Sequence, residues 1–145
     1  MKIISKPNYG SKKNSVEFFA PMIPPTVTHN DLEPYKTKTG KVGIRKSQRL
    51  HEAEAKLEAH FAPHRPGAKL TGAIKATLCI CYPIDKDHPR GLKVTPPDND
   101  NLEKTIFDVM GRLKFFEVGD QQIAINHTTK CYDDRPGIYV ALEEA

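Results

Sequence analysis

The feature that most constrains the fold of this chain is the run AIKATLCICY, from Ala73 to Tyr82, in which apolar residues recur at every second position. Alternation over this length is typical of a β-strand, because successive side chains point to opposite faces of a sheet. The predicted apolar face consists of Ile74, Ala76, Leu78, Ile80 and Tyr82. For a chain of 145 residues, one compact domain with a buried core is the default expectation.

Two other segments carry apolar residues at helical spacing, three or four positions apart. The first predicted helix ends before Pro63 and Pro66, because proline cannot continue a helix. The second begins near Asn101. The apolar stripes are Leu50, Ala53, Leu57 and Phe61 in the first helix, and Leu102, Ile106, Val109 or Met110, and Leu113 in the second.

Three further strands and one loop complete the predicted order. Val16–Ala20 is a strand, and two β-rich runs at 122–132 and 137–144 are separated by a predicted hairpin turn at Asp133–Gly137. Residues 36–49 hold six basic residues and no acid, and we expect a long flexible loop there. The order strand, helix, strand, helix, strand, strand predicts an α+β fold, a single small domain with a mixed sheet and two main helices.

Charge is distributed unevenly along the chain, although the formal net charge is only +4. Residues 1–50 hold ten Lys and Arg against three acids, whereas residues 95–145 hold five against ten. A metal-dependent enzyme that acts on a polyanion needs one region for phosphates and another for cations, but an ordinary soluble protein can show the same asymmetry. We divide the chain into a basic N-terminal extension, residues 1–15, and one domain, residues 16–145.

The three cysteines do not predict a disulfide framework, since their number is odd. Cys79 and Cys81 are separated by one residue, whereas zinc sites usually have two to four residues between paired ligands. We interpret them as buried, reduced thiols.

The N-terminus lacks the apolar core of a signal peptide, and no run approaches about 18 apolar residues. A cytoplasmic location without membrane contact is therefore expected.

The stretch PPDNDNLEKTIFDVMG, residues 96–111, concentrates acids where the second helix begins. Asp100, with Glu103 three positions later, is a good N-cap, and capping alone would explain it. Capping leaves Asp98 and Lys104 unexplained. In extended backbone after the prolines, the two aspartates can point to the same side, where they repel each other unless a divalent cation lies between them. Mg²⁺ would leave room for a phosphodiester, and the lysine could stabilise transition-state charge.

A third acid would complete such a metal site. Asp120, in the segment VGDQQIAI at the entry to a predicted strand, is the candidate. Glu117 is the alternative, and the residues themselves leave both open.

These two segments together resemble the signature of the RusA family of Holliday-junction resolvases. The matching pattern is Asp-x-Asp-Asn-Leu-x-Lys, then Phe-Asp, and after a gap Asp-x-Gln-Ile, all within residues 97–125. The order of elements also fits a RusA-like fold, as does the pair Pro24-Pro25 ahead of a basic segment. A match across two separated segments is far more specific than a capping motif.

The resemblance assigns roles to individual residues. Asn101 would orient an aspartate or a metal-bound water, and Asp108 would hold Lys104 in an ion pair. Many members have an acid immediately before the position of Asp120, where this chain has Gly119. The metal-binding and catalytic residues that the resemblance implies are Asp98, Asp100 and Asp120, together with Lys104 as the catalytic cation.

The function implied by the resemblance is a crossover junction endodeoxyribonuclease of DNA recombination and repair. It would use Mg²⁺, with Mn²⁺ able to substitute, and no nucleotide cofactor. It would act on four-way junction DNA as a homodimer, because two symmetric nicks need two sites. Two alternatives stay open: a junction-binding or branched-DNA-binding protein that does not cleave, acting on phage or prophage DNA, and a domain whose acids only cap a helix.

The basic residues near the predicted site are the candidates for DNA contact. Lysine-rich loops are usually only solvated, but a cluster without acids beside a nuclease site favours contact with the phosphate backbone. The predicted DNA-binding residues are Lys36, Lys38, Lys41, Arg45, Lys46, Arg49, Lys86, Arg90 and Lys93. The six histidines show no metal-ligand spacing and receive no role.

Overall fold

A computed structural model describes residues 13–145 of the chain, so most of the predicted extension at residues 1–15 lies outside the described residues. Short 3₁₀ turns follow the first helix at Ala62–His64 and precede the sixth strand at Asp120–Gln122. Among the described residues, no helix is long and apolar enough to cross a membrane. The strands and helices are β1 (Ser15–Pro21), β2 (Leu32–Lys36), β3 (Val42–Lys46), α1 (Gln48–Phe61), β4 (Ile74–Pro83), β5 (Gly91–Leu92), α2 (Asn99–Arg112), β6 (Ile123–Asp133) and β7 (Gly137–Glu144).

Five strands form a mixed sheet in the order β1-β7-β4-β6-β5. The alternating run predicted from the sequence is β4, and it occupies the centre, antiparallel to β7 and parallel to β6. Its position explains its composition, because a central strand is covered on its apolar face by neighbouring elements. The predicted α+β class with a mixed sheet and two main helices is confirmed.

Both helices pack on one face of this sheet. The alternate β4 residues Ile74, Leu78 and Ile80 are fully or almost fully buried in one apolar cluster that also contains residues of α1 and α2. The helical members of that cluster are Leu57 and Phe61 of α1 and Leu102, Ile106, Phe107, Val109 and Met110 of α2. The intervening β4 side chains point to the opposite face, which the helices do not cover.

The turn between the last two strands is not the predicted hairpin turn. β6 and β7 are not paired with each other, because β4 lies between them and bonds to both. The turn chemistry itself is present, since the Arg135 backbone N–H donates to the Asp133 carboxylate over 3.1 Å. Turn residues indicate a change of direction, but strand order depends on which strand best fills the sheet centre.

The predicted flexible loop at residues 36–49 is also wrong. β2 and β3 form an antiparallel two-stranded hairpin that spans Leu32–Lys46, and α1 follows after one residue. Its turn uses Gly40 at φ +88°, a left-handed conformation in which glycine has no side-chain penalty. Tyr35 covers the paired Gly43, where a Cβ atom would lie only 2.7 Å from the ring. The segment is rich in charge, but local pairing still gives it a regular structure.

Buried Glu54 of α1 joins the hairpin to both helices. Its carboxylate accepts a hydrogen bond from Lys46 Nζ of β3 over 2.9 Å and lies 3.5 Å from Arg112 of α2. Ser47 begins α1, since its hydroxyl accepts from the Leu50 backbone N–H over 3.0 Å. A buried carboxylate is tolerated here because it is paired with cations from two other elements.

Candidate active site

The start of α2 lies two residues earlier than predicted. The N-cap is Asp98, not Asp100, and Asp98 has extended backbone at φ −69° and ψ 151°. Its side chain makes no capping hydrogen bond, although an aspartate at this position usually accepts one from the helix N–H groups. The Asp98 carboxylate is exposed and therefore remains available for a ligand.

Asp100 lies inside the first helical turn, so the two aspartates do not share one extended segment as predicted. Asp100 is exposed, and Asn101 beside it is half-buried. Negative side chains at a helix N-terminus are stabilised by the partial positive charge of the unpaired N–H groups. The pair therefore stands at the end of α2 that tolerates negative charge best.

Lys104 lies farther along α2, between two carboxylates. One is Asp108 of the same helix, and the other is Asp120 of the turn before β6. Its Nζ donates to Asp108 Oδ1 over 3.0 Å and lies 3.9 Å from Asp120 Oδ2. These contacts, with Asp108 the larger cause, raise the pKa of Lys104 above the ordinary lysine value. The lysine is therefore a fixed, fully charged ammonium, yet half of its side chain stays exposed to solvent.

Asp120 reaches Lys104 because a glutamine fixes the turn before β6. The Gln122 side chain accepts from the backbone N–H groups of Val118 and Gly119 over 2.6 and 3.1 Å. Its amide nitrogen also donates to two carbonyls ahead of β4, those of Leu70 and Gly72, over 3.1 and 3.0 Å. This crosslink holds the turn that contains Asp120 against the segment before β4. The role of Gln122 was not predicted.

A second unpredicted residue, Lys130 of β6, holds the segment that precedes Asp98. Its Nζ donates to the carbonyls of Thr95 and Pro97, each over 2.6 Å. Lys130 lies on the helix-facing side of β6, and α2 is anchored nearby by Asn99, which donates to the Thr128 carbonyl over 3.4 Å. Pattern reasoning could not find this contact, because it joins residues 33 and 35 positions apart.

Two open grooves flank Asp98. One, of about 380 Å³, is lined by Thr26–Thr28, Asn30, Asp31, Pro96, Pro97, Asp98 and Asn101. The other, of about 530 Å³, lies between α2 and β6 and is lined by Leu92–Val94, Asp98, Asn99 and Thr128–Lys130. The N-terminus of α2 is therefore reached from both sides, as an extended polymer would require.

A comparison with protein families identifies the family of this chain. The sequence profile of the family described as Endodeoxyribonuclease RusA matches residues 23–143, most of the chain. The chain belongs to the RusA family. A comparison with curated proteins found no significant match. The predicted family is thus confirmed, and the endodeoxyribonuclease class follows from it. The matched range includes every candidate residue described above.

Resolvases of the RusA family generally depend on a divalent metal ion, and the donor chemistry of this site fits one. Asp98 has a carboxylate that its helix does not use, and hard oxygen ligands are what Mg²⁺ prefers. The aspartates do not form a closed ligand shell. In the described part of the chain, the three aspartates do not bring oxygens within 4.8 Å of one another as a group. Mg²⁺ commonly binds one or two carboxylates and keeps several waters, so a closed three-carboxylate shell is not required.

The predicted DNA-binding residues divide into two groups. Lys36, Lys38 and Lys41 stand exposed at the tip of the β2–β3 hairpin, and Lys86 is exposed in the loop after β4. The others are engaged: Arg45 with Glu33, Lys46 with Glu54, Arg49 with Asp31, Arg90 with Asp133 and Asp134, and Lys93 with Thr95 and Tyr132. The hairpin tip therefore presents the cations with the least internal competition.

Proposed function

We propose that this RusA-family protein is a Mg²⁺-dependent endonuclease that resolves four-way DNA junctions by paired symmetric nicks. The observation that carries the proposal is the position of Lys104, 3.9 Å from Asp120 on a helix whose N-cap aspartate is free of capping. A lysine beside carboxylates that have no capping role suits phosphodiester hydrolysis. A surface that only binds DNA would not need such carboxylates.

The proposed ligands of the metal are Asp98, Asp100 and Asp120. A divalent ion bound there would neutralise phosphate charge and act as a Lewis acid. Asp120 is favoured over Glu117 as the third acid, because, of these two described acids, it is Asp120 that lies within ion-pair distance of Lys104.

Lys104 would contact a non-bridging phosphate oxygen and stabilise the negative charge that develops during cleavage. Asp108 serves as a positioning residue, since its 3.0 Å contact directs the ammonium along the exposed side of α2. Lys130 supports the position of Asp98 by donating hydrogen bonds to the carbonyls of Thr95 and Pro97 in the preceding segment. The Asp108 and Lys130 contacts come from the chain itself and are present before DNA binds.

The DNA path follows from the grooves and the exposed cations. Phosphates would enter beside Asp98, and the hairpin tip would contact the backbone of an adjacent arm through Lys36, Lys38 and Lys41. Backbone contacts position DNA without reading its sequence. Selectivity for a junction would then come from shape, with a homodimer presenting two sites related by twofold symmetry.

The test is cleavage of a synthetic four-way junction beside a linear duplex of the same arm sequences, with Mg²⁺ titrated from zero in a chelating buffer. We expect cuts in the junction alone, with a rate that rises and saturates as Mg²⁺ increases. Binding without cuts at any Mg²⁺ concentration would favour the non-cleaving alternative. Equal cutting of the duplex would contradict structure selectivity.

A further inference from the structure

Three thiols meet on the sheet face that the helices do not cover. Cys79 and Cys81 lie on β4, and Cys131 lies on β6 directly opposite Cys81 in the parallel register. The Sγ–Sγ distances are 3.7 Å for Cys79–Cys81, 3.5 Å for Cys81–Cys131 and 4.0 Å for Cys79–Cys131. Among the described residues this is the only group of three potential ligands within 4.8 Å of one another.

These distances fit a thiolate metal site. Zinc binds thiolate sulfur at about 2.3 Å in tetrahedral geometry, which separates neighbouring sulfurs by about 3.8 Å. The three observed distances, 3.5 to 4.0 Å, lie on both sides of that value. They are far longer than a disulfide bond, at about 2.05 Å, so the thiols are unlinked.

Access and ligand type also favour a metal ion. Cys79 and Cys131 are half-buried while Cys81 is buried, so the triangle opens towards solvent on one side. A fourth ligand can come from water. Thiolates select soft or borderline ions such as Zn²⁺, whereas carboxylates and water suit Mg²⁺. The thiol triangle and the α2 site are thus separated both by the sheet and by ligand chemistry.

We propose that Cys79, Cys81 and Cys131 form a Zn²⁺ site that clamps β4 to β6. Three S–H bonds break and three Zn–S bonds form, and the three protons pass to solvent. The ion would tie together the two strands beneath the active site, because Cys131 is the direct neighbour of Lys130, which holds the segment before Asp98 on the other face. The inference does not depend on the nuclease proposal.

The experiment uses the full chain, made metal-free and kept reduced with a phosphine, and titrates Co²⁺ as a spectroscopic probe. Thiolate ligation gives a sulfur-to-cobalt charge-transfer band that carboxylate ligation does not. We expect one equivalent to bind with this band, Zn²⁺ to displace it, and Zn²⁺ to raise the melting temperature.

Three variants locate the site. Cys131→Ser should weaken Zn²⁺ binding by at least about a hundredfold, since even supporting residues of metal sites cost 10–100-fold. Thr129→Ser, a neighbouring β6 position that keeps all three thiols, should bind like the parent. Asp98→Asn should keep the charge-transfer band, because it changes only the carboxylate site. If Cys131→Ser fails to fold by circular dichroism, half-buried Cys79→Ala replaces it.

Two results would overturn the site. One is the absence of a charge-transfer band from the folded, reduced parent. The other is equal Zn²⁺ affinity in the parent and the cysteine variant, which would mean an adventitious ion only.

Discussion

Lys104 is the residue whose surroundings are hardest to explain by stability alone. Its ion pair with Asp108 joins positions i and i+4 on a helix and is about half exposed. Such pairs contribute about 0.3–0.5 kcal/mol, so the fold would lose little without it. The second carboxylate, Asp120, comes from a separate element and is 3.9 Å away. An ammonium between two acids is better suited to stabilising charge on a phosphate than to stabilising the surface of a helix.

Lys104→Ala should therefore reduce catalysis much more than stability. We expect the single-turnover cleavage rate to fall by about a hundredfold or more, equivalent to roughly 3 kcal/mol of transition-state stabilisation. Junction affinity should change far less. Lys104→Arg should restore part of the rate at best, because a planar guanidinium does not fill the position of a compact ammonium.

Lys56→Ala, an exposed lysine on α1, is the matched control and should cleave at the parental rate. Unfolding curves should show all of these variants within about 0.5 kcal/mol of the parent. A parental cleavage rate in Lys104→Ala would remove this lysine from the mechanism.

The three aspartates should separate cleavage from binding. Asp98→Asn, Asp100→Asn and Asp120→Asn should each abolish junction cleavage, because an amide is a weaker ligand for a hard divalent ion. Binding measured without metal should be retained or become tighter, since a negative charge near phosphate is removed. Glu117→Gln is the control for Asp120, and it should cleave normally. If Glu117→Gln is inactive and Asp120→Asn is active, the third ligand is Glu117.

At the scale of elements, the site is held together by hydrogen bonds between residues that are far apart in the sequence. Lys130 bonds to two carbonyls before α2, and Gln122 bonds to two carbonyls before β4. Hydrogen bonds from a charged donor contribute about 1.5–3 kcal/mol each. These bonds hold the segments next to Asp98 and Asp120, which limits the freedom that the two aspartates would lose when a metal binds.

Lys130→Ala should loosen the segment before Asp98. We expect the Mg²⁺ concentration for half-maximal cleavage to rise by about tenfold or more, the range seen for supporting residues of metal ligands. A purely structural role would lower the melting temperature and leave this Mg²⁺ dependence unchanged. Lys130→Arg, which keeps a charged donor, should recover part of the effect.

The hairpin tip should contribute to DNA affinity by counterion release. Changing Lys36, Lys38 and Lys41 together to Gln should flatten the slope of log affinity against log salt by up to about 2.7 units, about 0.9 per contact. The control is an equal charge loss at Arg65, Lys69 and Lys114, which surround the C-terminal end of α2, about 21 Å from its N-terminus. Identical slopes for the two triple variants would show that the hairpin is only a solvated surface.

What the sequence predicts is local, and what it misses is long-range. The alternation in β4 and the stripes of α1 and α2 were correct because period depends only on nearby residues. The hairpin predicted between β6 and β7 was wrong because β4, 40 residues earlier, takes the place between them.

The candidate site divides in the same way. The sequence could offer Asp98, Asp100 and Lys104 as candidates because one short motif contains them. It could not identify the role of Lys130, whose contacts are with residues 33 and 35 positions away. It could not identify the thiol triangle either, because this depends on parallel pairing of strands about 50 residues apart. The shift of the N-cap from Asp100 to Asp98 was missed because either aspartate satisfies the same capping pattern.

At the scale of the whole molecule, the sheet separates two chemistries. The helix-covered face carries the proposed carboxylate ligands and lysines, and the open face holds three thiols. The central claim concerns the first face, and it requires that two copies of this chain act on one junction. A four-way junction is resolved only if both opposed strands are cut while the complex persists.

A supercoiled plasmid that extrudes a cruciform tests this claim most directly. The first nick releases supercoiling and the cruciform is reabsorbed, so linear product arises only when two subunits cut within one binding event. We predict linear plasmid as the direct product of the parent protein with Mg²⁺. Mixed dimers that contain one Asp98→Asn subunit should give nicked circles, and the all-variant dimer should give no product. Nicked circles alone from the parent, or no cleavage of the cruciform, would contradict the account.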